Sequence, residues 1–153
     1  MRKTTRYNLL ETNSSSAHTL VYKNRKLSKP KLPISKKTGM VIGHLGNFGK
    51  DTKEYEKQPD KLSYLLTCIA YNCGAYDGDT DRLYDDYYFQ DLADVISEYT
   101  GAVGLEVPDG ETGYIDHQSV PEWSGECDLF TLTKENMKNF IFDDNVILRT
   151  DCD

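Results

Sequence analysis

The chain predicts a single-domain α+β fold, with a mixed or antiparallel sheet, two central helices and one short C-terminal helix. Three observations predict it. Apolar residues recur at helical spacing over 62–73 and 84–99, short β-branched and aromatic runs flank those stretches on both sides, and no internal repeat is present. With 153 residues, 38% of them hydrophobic and 28% charged, the composition suits one globular unit over 1–153.

In chain order, residues 6–10 read as a first strand and 18–22 as a second, rich in β-branched and aromatic side chains. Between them Asn13, Ser14, Ser15 and Ser16 favour a turn, because their side chains bond nearby backbone groups. Residues 23–37 hold seven basic residues, no acidic ones, and Pro30 and Pro33, so 23–38 reads as an exposed basic connection or arm. Residues 39–45 form a buried strand closed by Gly46 and Gly49, followed by a charged loop over 51–58. Pro59 and Asp60 start the first helix, with Asp60 as its cap. Leu62, Leu65, Leu66, Ile69 and Cys73 share one face, and Gly74 ends it. Asp79 or Thr80 caps the second helix, whose stripe is Tyr84, Tyr88, Leu92, Val95, Ile96 and Tyr99, with Gly101 just past its end. Residues 102–107 make a strand, 108–110 a turn and 114–119 the partner strand. After a loop around Pro121 and Trp123, Thr133 caps a short helix over 134–142, with Leu132 as a hydrophobic staple, and 145–149 is the last strand.

Charge is divided along the chain. The net charge is −7, yet residues 1–61 hold 14 Lys/Arg against 5 Asp/Glu, a net +9, and residues 62–153 hold 4 against 20, a net −16. Such asymmetry means that two parts of the surface meet different environments, or each other. No apolar run approaches the roughly 20 residues of a membrane-spanning helix. The basic N-terminal residues 1–6 lack the apolar stretch of a signal peptide, so the expected location is the cytoplasm, with no membrane partner. The four cysteines, Cys68, Cys73, Cys127 and Cys152, contain no C-x-x-C pair, and Cys68 and Cys73 read as core thiols. Asp77, Asp79 and Asp81 resemble the start of a calcium loop, but Arg82 and Tyr88 stand where its glycine and glutamate belong. No metal or cofactor is expected.

Two groups of residues carry candidate chemistry. In the first, Ser14, Ser15 and Ser16 with Asn13 and the turn amides form a cradle for a phosphate-bearing small molecule. His18 and His117 are the candidate proton carriers, and Glu11 or Asp116 the orienting carboxylates, for general acid–base work on a phosphoester, nucleotide or acyl group. The same residues also suit an ordinary turn between two strands. An Arg–Ser–Glu arrangement of the ADP-ribosyl-transfer kind can be drawn through Arg6 and Ser14, but no glutamate motif accompanies it. The second group is an acidic surface made by Asp81, Asp85, Asp86 and Tyr87 within a run that also holds Asp77, Asp79, Asp91 and Asp94. Carboxylates along a helix can imitate phosphates and compete for the Lys/Arg contacts that hold nucleic acid, with tyrosines as anchors. A solvated helix face is the plainer meaning of the same run.

"LLETNSSSAHTLV", "KLSYLLT" and "GYIDHQS" resemble stretches of small proteins from bacteriophages and the mobile elements of Gram-positive hosts, over residues 6 to about 120. The serine run is the most distinctive part. That family carries no assigned catalytic residue, so the resemblance implies a setting: an accessory protein acting in bacterial cytoplasm. It also implies that Glu11, Asn13, Ser14, Ser15, Ser16, His18, Asp116 and His117 belong to one site. The expected function is therefore a binding protein that inhibits a host protein or protein–nucleic-acid complex, of the anti-CRISPR kind. The alternative is a small enzyme or nucleotide-binding protein using the Ser/His/carboxylate group.

Overall fold

A computed structural model describes residues 5–7, 16–22, 26–49, 52–115, 126–127 and 130–152. Among them the elements are β1 (Thr5–Tyr7), β2 (Ser16–Tyr22), β3 (Val41–Ile42), β4 (Asn47–Phe48), β5 (Lys53–Tyr55), α1 (Gln58–Cys73), α2 (Thr80–Tyr84), α3 (Tyr87–Thr100), β6 (Leu105–Glu106), β7 (Tyr114–Ile115), β8 (Glu126–Cys127), β9 (Phe130–Thr131), α4 (Lys134–Phe142) and β10 (Val146–Cys152). This is a single-domain α+β fold with mixed pairing. An antiparallel sheet runs β1-β2-β10-β5, while β3 and β6, and β4 and β7, form two small parallel pairs, and β8 and β9 a short antiparallel one.

The core forms where α1, α3 and α4 meet. Leu65, Leu66 and Ile69 of α1, Leu92 and Ile96 of α3, and Met137 and Ile141 of α4 are fully sealed from solvent. Their spacing of three and four residues supplies the apolar faces, which the sequence predicts for 62–73 and 84–99. Cys68 is fully buried among them. Cys73 is half-buried, and burial pushes its thiol up to about 11, so both act as core thiols. Gly74 and Gly101 end α1 and α3 with φ of 77° and 78°, the left-handed conformation that glycine adopts without strain.

Several expected boundaries move, each for a local reason. The first helix begins at Gln58 with Lys57 as its N-cap and no side-chain cap, so Asp60 lies in the first turn instead of capping. The expected second helix is two helices, because the Asp86 carboxylate accepts hydrogen bonds from the Tyr88 and Phe89 amides and starts α3 afresh. The expected charged loop over 51–58 contains β5, an edge strand on β10. Of the expected hairpin between 102–107 and 114–119, residues 116–119 lie outside the described residues, and the described strands at 105–106 and 114–115 do not pair with each other. Instead β6 pairs with β3 and β7 with β4, and Thr80 Oγ1 donating to Asp109 Oδ1 at 2.9 Å, with an Asp77–Thr112 bridge, holds the intervening turn against α2.

The basic segment is exposed in its lysines and anchored in its backbone. Lys26, Lys29, Lys31, Lys36 and Lys37 face solvent while Leu32 is buried. The Ser28 amide donates to Phe142 O at 2.7 Å, the Lys31 amide to Gln58 Oε1 at 2.6 Å, and the Lys26 amide to Asp143 Oδ2 at 3.0 Å. It is an exposed connection laid along the core.

Beneath that segment lies a buried ammonium. Lys61 is 0% exposed, and its Nζ donates to Asp143 O at 2.9 Å and Val146 O at 3.1 Å. Gln58, also buried, accepts from the Lys31 amide and donates to Lys29 O and Asp144 Oδ1, both at 3.0 Å. Lys31 pairs with the other Asp144 oxygen. Burial lowers Lys61 from 10.5 to about 8, although the nearby Asp144, Asp143 and Glu56 carboxylates pull the other way. A neutral amine still has two N–H donors for its two carbonyl acceptors, so deprotonation preserves both bonds. Above pH 8 the folded chain therefore releases a proton that the unfolded chain holds until 10.5, and stability contributed by Lys61 rises with pH across that window. Denaturant titrations of wild type and Lys61→Met should show a stability difference that grows by on the order of 2 kcal/mol between pH 8 and 10. A pH-independent difference would mean that the amine is not desolvated.

Candidate functional site

The first sequence-predicted group lies mostly outside the described residues: Glu11, Asn13, Ser14, Ser15, Asp116 and His117 all do. Ser16 and His18 fall on β2, where the register sets Ser16 opposite Cys152 and His18 opposite Thr150 on β10. The strand that leads into Asp116 is β7, which belongs to a different sheet and pairs with β4.

The acidic group is built at the break between α2 and α3. Asp79 caps α2 by accepting from the Arg82 amide at 3.1 Å. Asp85 and Asp86 then interrupt the helix, as residues whose carboxylates compete for backbone donors tend to do. Tyr84 is fixed below the break: its hydroxyl donates to Val107 O at 2.8 Å and accepts from Val107 N at 2.9 Å, and its ring meets Phe89 edge-on at 5.1 Å. The corner is therefore rigid, and it lifts Tyr87 outward. Tyr87 is 68% exposed and touches Tyr88 in an edge-on contact at 5.5 Å.

The four predicted surface residues divide three to one. Asp81 and Asp85 are exposed, and neither carboxylate meets a cation among the described residues. Together with Tyr87 they form one solvent-facing corner. Asp86 has a different role, since its Oδ2 takes both α3 amides, at 2.9 Å and 3.1 Å. Burial raises its pKa, and the two amide donors oppose that shift. Further along α3, Asp94 is paired with Lys134 at 3.1 Å.

Sequence reasoning missed one pair. Glu111 Oε1 lies 2.7 Å from His44 Nδ1, and its Oε2 accepts from the Leu45 amide at 3.1 Å. A carboxylate only accepts, so Nδ1 carries the proton and Nε2 is the open ring position. The partners are 67 residues apart and follow the ends of β3 and β6, so only the parallel pairing brings them together. No group of three or more His, Cys, Asp or Glu among the described residues could hold a metal ion. Open grooves lie among those residues. One of about 480 Å³ is lined by Lys31, Glu56, Lys57, Pro59 and Asp144, and one of about 390 Å³ lies between α3 and α4 beside Val95, Tyr99 and Lys134. Both mix charges of either sign, and neither gathers a nucleophile with a base. No described helix is long and apolar enough to cross a membrane.

No protein-family model, curated protein or solved structure matches this chain.

The cap role of Asp86 is separable from a surface role. Asp86→Ala should cost about 1 kcal/mol in thermal or denaturant unfolding, whereas Asp86→Asn, which can still accept, should be nearly neutral. Equal losses in the two variants would show that charge, not capping, is what the position supplies.

Proposed function

We propose that this chain is a binding protein that occupies a basic, nucleic-acid-binding surface of a host complex in bacterial cytoplasm and so inhibits it. The observation that carries this reading is the corner between α2 and α3, where Asp81 and Asp85 stand exposed, with no cation on them among the described residues, beside a tyrosine that is 68% exposed. A large ring held on a rigid corner loses little freedom on docking and suits the centre of an interface. Unpaired carboxylates around it match a surface built to hold phosphates, and they also repel nucleic acid itself, which makes a protein the partner. The resemblance to phage and mobile-element proteins supplies the setting, with a defence complex of the CRISPR kind as the class of target.

The test is phage plating on a defence-bearing host that expresses the protein. The combined variant Asp81→Asn, Asp85→Asn, Tyr87→Ala should lose at least about tenfold of the protection seen with wild type, equivalent to about 1.4 kcal/mol of binding. His18→Ala should retain protection. The opposite pattern, in variants that remain folded, would transfer the function to the Ser/His/carboxylate group and remove the acidic corner from it.

A further inference from the structure

The opposite end of α3 carries a second exposed face, and its chemistry is the complement of the first. Helix α3 is 14 residues long, so its ends stand about 20 Å apart. Just past its C-terminus is Val103, 77% exposed. The Val103 amide donates to Gly39 O at 2.8 Å, and a Cβ placed on Gly39 would stand 3.0 Å from Val103 Cγ2. Gly39 closes a tight loop that begins at Ser35. The Ser35 amide donates to Met40 O, the Gly39 amide donates back to Ser35 O, and Ser35 Oγ accepts from the Lys37 and Thr38 amides. Ile34, 44% exposed, enters this loop opposite Val41, and Lys36 and Lys37 are exposed at its tip. Neither lysine meets a carboxylate among the described residues.

Each end of α3 therefore joins exposed apolar surface to unpaired charge, and the charges are opposite. Within one chain the two ends cannot meet, because a separation of about 20 Å exceeds the screening length of about 8 Å at physiological salt. We propose that these ends dock head to tail between copies of this chain, with the Tyr87 corner of one copy seated on the Ile34–Val103 face of the next and Asp81 and Asp85 opposite Lys36 and Lys37. The contact joins unlike surfaces, so it propagates as a row or closes as a ring. Both faces are held by local hydrogen bonds, so little ordering opposes the contact. The inference stands without the host-partner reading, although both use the Tyr87 corner.

Sedimentation velocity over a concentration series tests it. In about 0.01 M salt, where screening extends to about 30 Å, the average mass should rise at least about twofold above the monomer, and in about 1 M salt it should return to the monomer. Lys36→Glu with Lys37→Glu, and separately Asp81→Lys with Asp85→Lys, should each be monomeric at low salt. Mixing the two variants should restore association, because each then offers the charge that the other lacks, and this recovery excludes misfolding as the cause of the loss. A monomer at every salt and concentration overturns the proposal, as does association that persists in both variants. The Lys36→Glu, Lys37→Glu variant keeps the Tyr87 corner intact, so loss of self-docking and loss of host inhibition are read independently.

Discussion

A single buried ammonium decides how the pieces of this fold sit. Lys61 projects from the first turns of α1 into the turn between α4 and β10, where the carbonyls of Asp143 and Val146 receive it. A charge in a dry site persists only with close acceptors, and an acceptor in such a site is costly to leave bare. The tie is therefore two-way: α1 cannot shift without stranding the amine, and the turn cannot shift without stranding its carbonyls. Gln58 and the Asp143 side chain extend the tie outward by binding the backbone of residues 26–31. Three segments distant in sequence are joined at one point, and β10, the central strand beside β2, leaves from it.

The same point explains the divided charge. Lys61 and Lys31 come from the basic part of the chain, and Asp143 and Asp144 from the acidic part. Here the two parts meet, with the Lys31–Asp144 pair at the surface and Lys61 beneath it. Burial alone would raise the Asp144 carboxyl, but hydrogen bonds from Lys31 and Gln58 hold it below the ordinary range. Away from this junction opposite charges meet in single surface pairs, such as Lys134–Asp94 and Arg149–Glu54. Tyr99 Oη donates to Ser28 O at 2.6 Å, which fixes the basic segment near the C-terminal end of α3 while the carboxylates gather at its start. Helix α3 thus holds the basic segment and the Asp81–Asp85 corner toward opposite ends.

The helices were legible in the sequence because their information is local. The face of α1 follows from apolar spacing, and Thr133, Gly74 and Gly101 mark ends by chemistry that acts within a few residues. The break at 85–86 was not read, because the apolar stripe from Tyr84 to Tyr88 runs through it and only the Asp86 cap reveals it. The parallel pairs were illegible for the opposite reason. Strands of two residues carry no period, and their partners are chosen by what the helices bring together. Within the candidate surfaces, Asp81, Asp85 and Tyr87 were visible as a run. Ile34 and Val103 were not, since isolated apolar residues in loops form no pattern until residues 39–41 bond the segments on either side of them.

The placement of acid at the start of α3 is also electrostatically consistent. The positive end of a helix dipole stabilises nearby anions, typically by about 0.3–1 kcal/mol. Asp86 uses this directly as the cap of α3, and Asp81 stands in the first turn of α2. A corner built this way keeps its charge exposed to whatever approaches. Charges at a rim mainly govern how quickly a complementary surface arrives, whereas a desolvated aromatic governs how long it stays. Asp81 and Asp85 fit the first task and Tyr87 the second. The division holds whether the arriving surface is a basic groove on another protein or the lysine-tipped loop of a second copy, because both meet the same ring in the same setting.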